Sequence, residues 1–207
     1  MADSSIGLPT EGNGPRLDTE RWLKGGQAVD VQRIQEYYPA VIAATYTRLA
    51  NTTLYTAGDS VSDAVGAPTA LAFALGRFNG GGGVISSAQV IEDSNPATKP
   101  TYELWLFNGP TAPTATDDNI AIAWTDADVL NCIGVITFNT ADVLIGLPTA
   151  NTGNTICPGK VGGSSVFELP YRCDPSASTI WGLVVVRNGY TPASGGKIRF
   201  KLNVRQE

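Results

Sequence analysis

The sequence predicts an all-β fold: a jelly-roll-like β-sandwich with an extended N-terminal arm and one short helix. Three observations lead there. Charged residues make up only 16% of the chain, against roughly 25% in average globular proteins, while 23 glycines and 13 prolines accompany 43% hydrophobic residues. That is the composition of many short strands joined by turns. From Tyr38 onward, β-branched and apolar runs alternate with Gly, Pro, Asn and Asp clusters. The run Lys197–Val204 alternates cleanly, with Ile198, Phe200, Leu202 and Val204 on one face and Lys197, Arg199, Lys201 and Asn203 on the other. A chain of 207 residues suits one domain of ordinary size with an arm: residues 1–38 as arm, 39–207 as sandwich body.

Residues 1–38 are rich in Gly, Asp, Glu and Arg and poor in apolar residues, so they cannot bury enough surface to build a core. A short strand is expected at Ala28–Gln35. Trp22 and Leu23 stand out as anchors for a neighbouring subunit, because a tryptophan is costly to leave in water and aromatics concentrate at interface centres. Tyr37 and Tyr38, where the arm meets the body, join them as interface candidates.

The body's elements follow in order. Residues 39–50 read as a strand, and Gly58-Asp59 marks a turn. In residues 69–78, Leu71, Phe73 and Leu75 share one face. Gly80–Gly83 reads as a loop between strands, and residues 83–93 as a strand. Thr101–Asn108 (TYELWLFN) is expected to be central, with Tyr102, Leu104 and Leu106 on one face, Trp105 and Phe107 on the other, and both faces covered. Thr125 followed by Asp126 and Asp128 predicts a capped helix start, with Val129, Leu130, Cys132 and Ile133 as its apolar face. Strands resume at 133–138, 166–171, 179–187 and 197–204. About eight to ten strands result, with no repeat of fixed period.

Composition also excludes chemistry. The chain has no histidine, which removes Ser-His-Asp and Cys-His catalysis, histidine-ligated metals and the usual general base near pH 7. Cys132, Cys157 and Cys173 fit no zinc spacing and read as free buried thiols. A net charge of −5 argues against general nucleic-acid binding. No apolar run of about 18–20 residues is present, so no membrane span is expected. The N-terminal segment lacks the basic and apolar regions of a secretory signal, which points to synthesis in a cytoplasm.

Four local patterns invite a chemical reading, and each has a plainer one. Gly76–Gly83 is glycine-rich, but no Lys-Ser/Thr follows it, so a loop is favoured over a phosphate site. Asp117, Asp118, Asn119, Asp126 and Asp128 offer oxygens to calcium without EF-hand spacing, so a solvated acidic loop is favoured. Glu103 beside Trp105 could be a carboxyl raised by burial, but a glycosidase needs a second carboxylate that the sequence cannot place. The stripe Lys197, Arg199, Lys201 and Arg205 gives residues 197–207 a net +3 and leaves −8 for the rest. It reads as a solvated face that discourages edge pairing, or as an electrostatic contact with an acidic neighbour, such as another copy. No cofactor or metal is expected.

The segment Lys99–Phe138 (KPTYELWLFNGPTAPTATDDNIAIAWTDADVLNCIGVITF) carries a further signal. A buried strand ending in Leu-Trp-Leu-Phe leads to a Pro/Thr-rich turn, an Asp-rich segment, a short capped helix and another strand. This order resembles small virion proteins of tailed bacteriophages, over roughly residues 40–140. The resemblance implies a capsid decoration, or cement, protein made in the host cytoplasm and carried on the virion. Such proteins clamp the major capsid protein lattice, often as homotrimers with extended arms. A tail, neck or fibre-associated protein has the same parts. From another class, a carbohydrate-binding module or glycan-directed enzyme could use Trp22, Trp105, Trp124 and Trp181 as stacking platforms; two or more exposed coplanar aromatics in a groove would favour it.

Overall fold

The computed structural model describes residues 37–94, 96–140 and 156–207 in full, and 18–24, 27–33 and 155 as backbone. The chain divides into two compact units, Met1–Glu36 and Tyr37–Glu207. In the first, β1 (Asp18–Lys24) and β2 (Gln27–Arg33) pair antiparallel, Trp22 opposite Val29 and Leu23 opposite Ala28. The strand expected at Ala28–Gln35 is thus present as β2, and it has a partner the sequence reading did not foresee. Gly25-Gly26, the dipeptide between them, is of the kind that two-residue hairpin connections favour.

The body is all-β with one tiny helix. Its strands are β3 (Tyr38–Thr47), β4 (Ser60–Val61), β5 (Leu71–Phe73), β6 (Gly82–Glu92), β7 (Thr101–Phe107), β8 (Cys132–Asn139), β9 (Thr155–Pro158), β10 (Leu169–Arg172), β11 (Ile180–Val186) and β12 (Lys197–Gln206); α1 spans Asp126–Val129. They form two antiparallel five-stranded sheets. Sheet I runs β10-β6-β12-β3, with β9 also on β6; sheet II runs β4-β11-β7-β8, with β5 also on β11. β9 and β10 occupy successive stretches of the same edge of β6, and β4 and β5 do the same on β11. Counting each such pair as one position leaves eight positions in chain order, and the sheets then read 1-8-3-6 and 2-7-4-5.

The sheets meet through their inner faces. Ile198, Phe200, Leu202 and Val204 of β12 are buried, as the alternation predicts, together with Leu104 and Leu106 of β7, Ile136 and Phe138 of β8, and Val184 and Val186 of β11. Phe200 of sheet I packs edge-to-face on Phe138 and Tyr102 of sheet II, at centroid distances of 5.4 and 6.4 Å. Gly182 lets β11 lie close: a Cβ there would sit 2.8 Å from both Leu104 and Phe73. Sheet II is covered on its outer face too. Phe107, Leu183 and Val185 are buried there, and Trp124 packs edge-to-face on Trp105 and Phe107. The expectation that both faces of the Tyr102–Phe107 strand are covered holds.

Several expectations change in detail. Thr125 caps α1 by accepting from the Asp128 N–H, but the helix is four residues long and buries nothing. Val129 and Leu130 are exposed and Cys132 and Ile133 belong to β8, so the expected apolar helix face does not exist. The glycine run is not wholly a loop. Gly80 turns the chain at φ 73°, but Gly82 and Gly83 open β6, where a Cβ on Gly83 would lie 2.2 Å from the Arg205 carbonyl. β9 gave no signal: Thr-Ile-Cys-Pro is too short to show alternation.

Candidate functional site

Of the sequence-predicted interface residues of the body, Lys197, Arg199, Lys201 and Arg205 share the outward face of β12, while Tyr38 lies at the register of Gln206, on the side of Ala40 and Val204. β12 lies between β3 and β6 along its whole length. Arg199 therefore sits between Thr45 and Ile91, Lys201 between Ala43 and Gln89, and Asn203 between Val41 and Ser87. None of these neighbours is charged. Lys197 and Arg199 are exposed and Lys201 is half-buried. An open depression of about 330 Å³ is lined by Thr45, Ile91, Asp93, Lys197 and Arg199. Asp93 places a carboxylate in this depression beside Lys197 and Arg199. Its carboxylate accepts the Lys197 backbone N–H at 2.7 Å, holding the start of β12.

Arg205 differs from the other three cations. It forms an ion pair with Glu168 and lies 5.8 Å from the Tyr37 ring. Arg77 stacks on Tyr38 at 3.7 Å. Tyr37 and Tyr38 stay 46% and 41% exposed, next to Val41 at 63%. The two groups read separately in the sequence, the junction tyrosines and the cationic stripe, thus share neighbouring strands of sheet I. Trp22 and Leu23 lie in β1, and their side chains are outside the described residues.

A second constellation was not visible in the sequence: a polar network sealed in the body. Arg48, Glu92 and Asp118 are 3%, 2% and 4% exposed. Asp118 accepts from the Tyr55 hydroxyl at 2.5 Å and the Ser62 N–H at 3.0 Å, and pairs with Arg48 at 3.7 Å. Arg48 Nε donates to the Tyr55 hydroxyl, and its Nη1 to the Ala193 carbonyl. Tyr55 stacks on Tyr190. The Tyr190 and Tyr102 hydroxyls are hydrogen-bonded at 2.9 Å, and Tyr102 donates to Glu92 at 3.1 Å. Ser94 also donates to Glu92. Burial pushes Tyr55, Tyr102 and Tyr190 far above the ordinary phenol range, and it pushes the Glu92 carboxyl up against the opposing pull of its hydrogen bonds. Tyr55 and Tyr102 are wholly buried, so no face is left for a substrate. Chemically the network can tie loops to the core; it cannot reach a solute.

The remaining candidates resolve as follows. Partial burial works to raise Glu103, but hydrogen bonds from Arg187 and Trp105 outweigh it and hold the carboxyl below its usual range. The raised acid that the sequence allowed at this position is therefore not formed. Asp118 is a core residue and not part of a solvated acidic loop. Asp117 accepts the Gly66 N–H, and Asp128 binds back to Thr125. Among the described residues no three acidic or cysteine side chains converge as a metal site would require. Cys132, Cys157 and Cys173 are free thiols, the last two buried. Trp105 and Trp124 meet at 65°, and the Trp124 and Trp181 indole nitrogens are buried, so these rings form no coplanar exposed platform. Among the described residues no helix is long and apolar enough to cross a membrane. No family model and no curated protein matches the chain.

Proposed function

We propose that the chain is a structural protein of a tailed-bacteriophage virion, a capsid decoration protein that binds the major capsid protein lattice and self-associates, as a trimer. The strand order carries this reading. We read positions 1-8-3-6 facing 2-7-4-5 as two interleaved Greek keys, which supports a jelly roll, a fold of viral capsid domains, lectins and cupins. Fold alone does not choose among these. Cupin chemistry draws on histidine ligands, which this chain lacks. Sugar binding draws on open aromatic platforms, whereas Trp105 and Trp124 cross edge-to-face. What the surface does offer is a row of cations on the outward face of sheet I, with Tyr37 beside Arg205 at its end, suited to another protein surface.

A tail, neck or fibre-associated role uses the same parts and is the second reading. The two are separated by where the protein sits. Purified full-length protein is mixed with purified phage heads and, separately, with tails, and each is sedimented. Saturable binding to heads supports decoration, binding to tails alone supports the second reading, and binding to neither removes both. A glycan-binding screen with retention on sugar columns tests the rival class, and millimolar or tighter binding there would replace the virion reading.

A further inference from the structure

Two strips of the body carry charge of one predominant sign each. Lys197, Arg199 and Lys201 face outward from sheet I, three cations against the single carboxylate of Asp93 in the depression they border. Successive outward residues on a strand lie roughly 7 Å apart, so the three cations repel one another. The cross-strand neighbours of Arg199 and Lys201 are Thr45, Ile91, Ala43 and Gln89, none of them charged.

The complementary surface belongs to the segment that covers the outer face of sheet II. Between Asn108 and Cys132 the chain carries four aspartates and no cation. Asp118 is turned into the core, which leaves Asp117, Asp126 and Asp128 at the surface. Ile120, Val129 and Leu130 stand exposed among them, Leu130 at 87%. The sheet I face likewise mixes cations with exposed apolar groups such as Val41. An acidic strip studded with apolar side chains and a cationic strip studded with apolar side chains fit each other in sign and in character.

We propose that the Lys197–Lys201 stripe of one copy docks on the Asp117–Leu130 segment of a second copy. The inference rests on the self-association part of the proposed function and assigns its contact. Because the two surfaces differ, the contact is heterologous: each copy gives one surface and receives the other, and the assembly is a ring only where the rotation between copies closes.

The test is charge reversal, read by sedimentation velocity of the full chain at micromolar concentration. R199E/K201E reverses the stripe and D126K/D128K reverses the segment. Each alone is expected to weaken association by about tenfold or more and to sediment as monomer, because like charges are then juxtaposed. The quadruple variant restores complementarity and is expected to regain the wild-type size. Raising salt is expected to dissociate wild type and quadruple variant together. Thermal melting confirms that each variant is folded. Wild-type size retained by both double variants would overturn the contact while leaving self-association standing. A wild type that is monomeric throughout would instead overturn self-association itself.

Discussion

Replacing Asp118 by alanine probes what holds the body together. The Asp118 side chain is fully buried and the Arg48 side chain is 1% exposed, 3.7 Å away. Without the carboxylate, Arg48 keeps a charge in the core with its direct ion pair gone. Tyr55 and the Ser62 N–H lose the acceptor they share. Breaking a buried pair from one side costs about 3–5 kcal/mol, because the remaining charge is stranded. For a body of this size, each kcal/mol moves the midpoint by about 2–4 °C, so the expected fall is on the order of 6–20 °C. The assay is calorimetric or circular-dichroism melting at neutral pH. The double variant R48M/D118A removes the stranded charge as well and should recover part of the loss, giving a coupling of about 0.5–3 kcal/mol in a double-mutant cycle. A drop of less than about 1 kcal/mol in D118A, or strictly additive losses in the double variant, would refute the network as drawn.

Three further predictions concern other parts of the chain. Glu92 is raised by burial, so the folded state keeps its proton to higher pH than the unfolded state does; its contribution to stability is full below the unfolded value of about 4.3 and is lost as pH rises through the folded value. Glu92→Gln keeps an acceptor for Tyr102 and removes that loss, so its advantage over wild type should grow from pH 4 to pH 8 in urea titrations; an advantage that shrinks with pH would contradict it. Gly83→Ala drives a Cβ into the Arg205 carbonyl and the Tyr171 hydroxyl, at 2.2 and 2.7 Å, and should cost about 1–3 kcal/mol by the same melts. Deleting residues 1–36 should leave the melting of the body close to wild type, because the body is a compact unit by itself, while lowering its occupancy on phage heads; unfolding of the truncated body would make the arm part of the core.

Much of the architecture was legible because strand periodicity survives wherever one face is buried. β12 shows it best: its four inward residues and its cations read directly from the alternation. The central strand β7 also gave both covered faces away through Trp105 and Phe107. Other features depended on tertiary context. α1 has a sound cap at Thr125, yet nothing packs on its apolar residues, so the cap predicted a helix start and could not predict a face. Asp118 sits in an acidic run that looks solvated; only the approach of Arg48 and Tyr55, 70 and 63 residues away in sequence, makes it a core residue. The same holds for Glu103, whose partner Arg187 comes from β11's far end. The polar network had no sequence signal because its members share no spacing. The interface candidates Tyr37, Tyr38, Lys197, Arg199 and Lys201 were chosen separately by type; the β3–β12 register keeps the three cations on one face and puts Tyr38 on the other, against Arg77.

The central claim is assembly on a capsid, and native mass measurement tests it most directly. Full-length protein is weighed alone, and again after mixing with purified tailed-phage capsids stripped of their own decoration. The account predicts a trimer alone and, on the capsid, a saturating number of copies in fixed ratio to the major capsid protein. A monomer that leaves the capsid mass unchanged at saturating concentration would contradict it.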